Sequence, residues 1–173
     1  MSEAHDVLGM HFTPSPAAAL PTQTFVDMHK LRMNGERVEA GRIPPAHTDT
    51  DAYVHFTRAN ALHMGDVFFH GMYPFIDLGS GGSLAGVVAA LETVLSRADS
   101  RTIIIPGHGP VSNRAELAAY RDMLVATGRR VRELIGEGRN LDEVLAARPT
   151  AAYDAVYGQG SMTVERFVGI LYE

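Results

Sequence analysis

The chain has 173 residues, no cysteine, 46% hydrophobic residues and a formal net charge of −5. That length is typical of one domain and is sufficient to bury a core without disulfides, and the lack of thiols excludes a cysteine metal site. The acidic balance argues against a nucleic-acid-binding protein, and no apolar run approaches the ~20 residues that a membrane span needs.

Residues 1–22 are predicted to form an irregular lead-in. Pro14, Pro16 and Pro21 disfavour the interior of a helix or a strand, so we expect residues 1–20 to pack poorly or to lie across a neighbouring surface. The first eight residues have no basic segment before an apolar run and do not look like a signal peptide. The compartment stays open: cytoplasmic by default, periplasmic if the N-terminus is incomplete.

Five segments carry the patterns of strands, and they span residues 24–31, 36–43, 52–57, 60–64 and 102–105. Asn34-Gly35 lies between the first two segments, and this dipeptide between strand-like runs is the strongest short signal for a hairpin. The fifth segment is a β-branched run that stops at Pro106, which is typical of a buried strand.

Four helices are predicted from apolar residues at helical spacing, and they span about residues 84–95, 113–135, 141–147 and 163–171. Ser83 is a suitable N-cap for the first helix, and Asn113 with Glu116 forms a capping-box pattern at the start of the second. The order of strands, helix, strand and helices predicts an α+β or α/β fold in which helices cover one mixed sheet.

Three loops carry a possible metal ligand just after a predicted strand, and these residues are His47, Asp66 and His108. Strand ends are where layered folds collect binding residues, and neutral imidazole and carboxylate suit Zn²⁺ or a similar divalent ion. Each residue also has a simpler interpretation. A lone loop histidine is more often a surface or hydrogen-bonded residue, and an aspartate after a glycine usually belongs to a turn.

Other motifs have alternative interpretations. Residues 79–83 precede a helix and could hold an anion, but without the lysine of a P-loop they favour a turn with an N-cap. Residues 81–85 are a defective version of the nucleophile elbow, without its last glycine. With His108 and an aspartate they could make a serine hydrolase, which is a disfavoured alternative. Three further histidines are interpreted as packing or surface residues: His55, His63 and His70.

The three loops together resemble a known family. Ala46-His47-Thr48-Asp49-Thr50-Asp51, Gly65-Asp66-Val67-Phe68-Phe69 and Pro106-Gly107-His108-Gly109-Pro110 are similar to the last three metal motifs of the metallo-β-lactamase superfamily, in the same order. The resemblance covers about residues 20–172. It implies that His47 is a ligand of a first metal, that Asp66 is the bridging carboxylate and that His108 is a ligand of a second metal, with Asp66 and His108 also catalytic.

The chain departs from that family in one motif, because its sequence contains no His-x-His-x-Asp-His. The resemblance therefore predicts the C-terminal portion of an αββα sandwich, a truncated domain over residues 23–173. It implies a hydrolase that uses Zn²⁺, or Mn²⁺ or Fe²⁺, in which metal-bound hydroxide attacks a small ester, lactone, amide or thioester. Two ligands of each metal are absent, so we expect weak or no activity. His47, Asp66 and His108 could together hold a single ion.

The alternative hypothesis is a non-catalytic remnant of the fold. Both hypotheses, the hydrolase and the remnant, predict a homodimer. A partial fold leaves an apolar sheet edge and face uncovered, and a second copy is the simplest cover because two-fold dimers are the commonest homo-oligomers. We expect the second copy to occupy part of the space of the missing half. Two sets of His47, Asp66 and His108 would then face each other and could share a metal.

Overall fold

The computed structural model describes residues 5–7 and 10–173. Its strands are β1 (His5–Val7), β2 (Met10–Phe12), β3 (Met28–Met33), β4 (Glu36–Arg42), β5 (Ala52–Phe56), β6 (Ala61–His63), β7 (Ile103–Ile105) and β8 (Ser112–Asn113). Its helices are α1 (Leu84–Arg97), α2 (Arg114–Gly136), α3 (Leu141–Ala146), α4 (Asp154–Tyr157) and α5 (Val164–Tyr172). Short 3₁₀ helices span Ala17–Ala19, Gly65–Val67 and Leu78–Ser80. This combination of helices and a mixed sheet confirms the predicted fold class.

One six-stranded sheet has the order β3-β4-β5-β6-β7-β8. Strands β3 to β6 are antiparallel neighbours, joined by a turn, by the loop of residues 43–51 and by a second turn. Asn34 and Gly35 take the positive φ angles of 50° and 76° that the first hairpin turn requires. Strand β7 is parallel to β6, and a parallel pair needs a long crossover connection. Helix α1 lies in that connection, so the parallel pairing of β6 and β7 explains why a helix interrupts the strands.

The core lies between the sheet and the helices. Helix α1 buries residues at helical spacing, and α2 contributes a second stripe; the fully buried members include Val87, Leu91, Val94, Leu117, Tyr120 and Leu124. The sheet supplies Leu62 and Ile104, both 0% exposed. A second, smaller cluster joins α2, α3 and α5. No helix in the described ranges is long and apolar enough to span a bilayer.

The lead-in differs from its prediction, because it is not irregular throughout. Strands β1 and β2 form an antiparallel pair, and the three prolines that motivated the prediction all follow β2. Residues 1–4 and 8–9 lie outside the described residues. From residue 13 to the start of β3 the chain contains only one 3₁₀ turn and mostly exposed side chains, as the prolines predict.

Candidate metal centre

The three loops that carry His47, Asp66 and His108 meet at one edge of the sheet. Strands β4 and β6 are each antiparallel to β5, and β7 is parallel to β6, so β4, β6 and β7 all point the same way. Each loop begins where one of these three strands ends. The topology therefore brings the carboxylate and the two imidazoles together, although they are far apart in the sequence.

Asp66 lies between the two imidazoles and faces each with a different oxygen. Its Oδ2 is 3.7 Å from His47 Nε2, and its Oδ1 is 3.4 Å from His108 Nε2. The side chain of His47 is 15% exposed, whereas that of His108 is 57% exposed. The group is therefore enclosed on the His47 side and open to solvent on the His108 side.

His47 is held in one orientation by the segment around Phe75. Its Nδ1 is 2.8 Å from the Phe75 carbonyl oxygen, and the two rings meet edge-on with centroids 5.8 Å apart. Since a carbonyl oxygen only accepts hydrogen bonds, Nδ1 carries the proton in this contact. In the neutral ring Nε2 then presents its lone pair towards Asp66. Metal-binding histidines use the same arrangement, donating the other ring N–H to a backbone carbonyl.

Gly107 allows the loops of Asp66 and His108 to approach each other closely. Its backbone N–H donates to the carbonyl oxygens of Gly65 and Phe68, at 2.8 and 3.1 Å. A Cβ at Gly107 would overlap both the Asp66 carboxylate and the Gly65 backbone. The His108 ring stacks on Phe69 with centroids 5.1 Å apart. This glycine is therefore necessary for the short distance between Asp66 and His108.

Two glycines at the start of α1 allow the His47 loop to lie against that helix. A Cβ at Gly82 would overlap the His47 carbonyl oxygen, and one at Gly86 would overlap the Pro45 carbonyl oxygen. The backbone N–H of Ser83 donates to the Ala46 carbonyl oxygen at 2.8 Å. The sequence does not reveal this role of the glycines, since nothing local to them shows that another backbone lies there.

The glycine-rich segment before α1 is a turn followed by an N-cap. Its backbone N–H groups already donate within the protein: those of Ser80 and Gly82 to Asp77, and that of Gly81 to Leu78. The Ser83 Oγ accepts from the Gly86 N–H at 3.0 Å, as an N-cap does. The donors that an anion site would need are therefore occupied, and this hydroxyl caps the helix.

Of the other three candidate histidines, two are hydrogen-bonded and the third is half-buried. His63 Nδ1 accepts a hydrogen bond from the Gly65 N–H at 3.2 Å. Burial lowers the pKa of half-buried His55. His70 Nδ1 is 2.9 Å from the Pro110 carbonyl oxygen. His63 and His70 are thus hydrogen-bonded, as expected of packing residues, although His70 also contacts the loop of His108.

Solved structures show which fold this is. A metallo-β-lactamase from Pontibacter korlensis superimposes with a TM-score of 0.53 at 18% identity, over 60% of this chain and 48% of that one. The BLEG-1 B3 metallo-β-lactamase gives a TM-score of 0.55 at 21% identity, over 68% of this chain and 54% of that one. The chain has part of a metallo-β-lactamase fold. The predicted resemblance is thereby confirmed at the level of the fold.

A longer match within the metallo-β-lactamase fold comes from the stereoselective inverting sec-alkylsulfatase Pisa1 from Pseudomonas sp. Its TM-score is 0.65 at 15% identity, and the match covers 94% of this chain but 27% of that one. The chain thus spans about half or less of the length of these three structures. No protein-family model matches the chain, and no curated protein matches it either.

The imidazole and carboxylate groups of these residues suit a divalent metal ion, whereas their arrangement is incomplete. Within residues 5–7 and 10–173, no group of three or more His, Asp or Glu side chains is arranged to hold one ion. Whether His47, Asp66 and His108 together hold a single ion stays a prediction. Asp66 directs one oxygen to each histidine, so the three side chains form two donor pairs that share one carboxylate.

Proposed function

We propose that this chain supplies His47, Asp66 and His108 to the divalent metal centre of a metallo-β-lactamase-fold hydrolase. The observation that carries the proposal is the position of Asp66, which faces the Nε2 atoms of both histidines. Imidazole and carboxylate suit Zn²⁺, with Mn²⁺ and Fe²⁺ as alternatives. The names of the similar structures, metallo-β-lactamase and alkylsulfatase, both denote hydrolases and support the class.

Each residue has a distinct task in this proposal. Asp66 places a negative charge between the two imidazoles. The hydrogen bond from His47 Nδ1 to the Phe75 carbonyl oxygen keeps the Nε2 lone pair of His47 directed towards Asp66. His108 is the most exposed of the three, so its side is where a small substrate enters. The bound metal would polarise the ester, lactone, amide or thioester carbonyl and activate water.

This chain alone is expected to hydrolyse its substrate weakly. A catalytic zinc keeps three protein ligands and one open position, so His47, Asp66 and His108 together suffice for one ion at most. A second ion needs donors from outside this group. The competing proposal is a remnant of the fold that associates without catalysis.

The test is metal loading of the chelator-stripped chain. The protein is incubated with Zn²⁺, Mn²⁺ or Fe²⁺, separated from free ions and assayed for bound metal, for Tm and for hydrolysis of ester, lactone, amide and thioester substrates. We expect about one ion per chain and a rise in Tm, because a ligand that binds only the folded state stabilises it. No bound metal and an unchanged Tm with all three ions would contradict the proposal. Bound metal without any hydrolysis would favour the remnant.

We also propose that the chain forms a homodimer through the sheet edge at β3. This strand ends the sheet, and Val26 and Met33 on or near it are 77% and 60% exposed. An open edge with exposed apolar side chains is a template for pairing with another chain. A second copy joined by a two-fold axis covers the same edge on both chains.

Light scattering after size exclusion tests the homodimer at micromolar concentration. We expect a mass of about twice 18.7 kDa for the wild type. Met33→Lys puts a charge at the edge and should shift the protein towards monomer. Val156→Lys is the matched control, since Val156 is also 60% exposed but lies in α4. A monomeric wild type contradicts the proposal, and loss of metal on dilution would indicate a site shared between the copies.

A further inference from the structure

His70 connects the loop of His108 to the start of α2. Its Nδ1 is 2.9 Å from the Pro110 carbonyl oxygen, so the ring N–H donates to that loop. Its Nε2 is 3.7 Å from Glu116 Oε2, and its ring stacks on Phe68 with centroids 5.6 Å apart. The side chain is only 20% exposed. Contacts at both ring nitrogens and on one ring face therefore limit the movement of the imidazole.

The carboxylate that faces His70 is itself fixed. Ser112 Oγ and Asn113 Nδ2 both donate to Glu116 Oε2, each at 2.9 Å. Asn113 also caps α2, accepting hydrogen bonds from the backbone at Ala115 and Glu116. The imidazole of His70 thus faces the Glu116 carboxylate, which is fixed at the first turn of α2.

The backbone of His70 holds the same loop at a second point. Its N–H donates to the His108 carbonyl oxygen at 2.9 Å, and Phe69 pairs with His108 in a parallel bridge. Gly109 follows with φ of 95°, and a Cβ there would overlap the His70 carbonyl oxygen. The path of the chain from His108 to Pro110 is therefore determined largely by its contacts with His70.

His108 depends on that path, because few contacts fix its own ring. Among the contacts of the described residues, its side chain faces Asp66 Oδ1 and stacks on Phe69, while more than half of it is exposed. The direction of the imidazole is consequently set by the backbone of the loop. A loop released at Pro110 would let the ring move away from Asp66.

We infer that His70 is a positioning residue for the metal centre: its Nδ1–H bond to the Pro110 carbonyl oxygen holds the His108 loop so that His108 faces Asp66. The inference rests on the proposed metal role of Asp66 and His108. His70 acts through the loop and does not touch the metal. Loss of an outer-shell partner of this kind typically lowers metal affinity 10–100-fold.

Three variants at position 70 separate the hydrogen bond from the ring. His70→Phe keeps a ring on Phe68 but removes the donor, and a cavity of about 180 Å³ beside the ring leaves room for it. His70→Asn places an amide N–H near the position of Nδ1. His70→Gln carries its N–H one bond farther out and stands in for His70→Phe if that variant does not fold.

Two quantities are measured. The first is Zn²⁺ affinity, by competition with a chromogenic chelator, and the second is the hydrogen-exchange rate of the Gly107 backbone N–H in the metal-free protein. We expect His70→Phe and His70→Gln to bind Zn²⁺ about 10–100-fold more weakly and to exchange Gly107 faster, and His70→Asn to stay within about 3-fold of the wild type. Equal affinity and exchange in all variants overturn the inference while leaving the proposed function intact. A wild type that binds no Zn²⁺ overturns both.

Discussion

Asp66→Ala is expected to abolish stoichiometric metal binding, and His108→Ala is expected to do the same. Asp66 belongs to both donor pairs, so its removal leaves two isolated imidazoles. Removal of His108 leaves one pair, which is too few donors to hold an ion. We expect affinity to fall by at least about 100-fold in each variant, at or beyond the upper end of what loss of an outer-shell partner costs.

Metal content after gel filtration and chelator competition check this expectation. Asp142→Ala is the control, because Asp142 is an exposed carboxylate in α3, away from the three loops. It should bind metal as the wild type does. Circular dichroism of the metal-free variants shows whether they fold. Stoichiometric metal retained in both Asp66→Ala and His108→Ala would place the ligands elsewhere.

Gly86→Ala is expected to lower the free energy of unfolding by about 2–3 kcal/mol, although alanine favours a helix over glycine. Gly86 lies in the first turn of α1, and an added Cβ would overlap the Pro45 carbonyl oxygen. The N-terminus of α1 cannot move easily, since Ser83 is hydrogen-bonded both to Gly86 and to Ala46. The loop that carries His47 has to move instead, so metal affinity should fall as well.

Gly169→Ala is the matched control for this prediction. Gly169 is also a helical glycine, in α5, and a Cβ there meets no atom within 4 Å. Alanine should raise the free energy of unfolding by up to about 1 kcal/mol, because only helix propensity changes. Urea unfolding of both variants gives the comparison. A Gly86→Ala protein as stable as Gly169→Ala would show that the loop does not press on α1.

The sequence predicted those elements whose signals lie within a few residues. Ser83 caps α1 and Asn113 caps α2 as expected, since each side chain bonds a backbone N–H two or three residues later. Strand β3 begins at Met28, later than the predicted residue 24, because pairing with β4 extends only that far. The two-residue β8 and four-residue α4 were missed, being too short to show a period.

The sequence by itself determined which loops bear the candidate donors, because a strand end, a turn and a cap are recognisable from neighbouring residues. Only the tertiary structure decided how these donors face each other. The contacts that decide this join segments distant in the chain. They are those of the two Asp66 oxygens with the histidines, of the Phe75 carbonyl with His47 and of Gly86 with Pro45. Such contacts depend on sheet topology and on packing between loops, and they leave no pattern in the residues beside them.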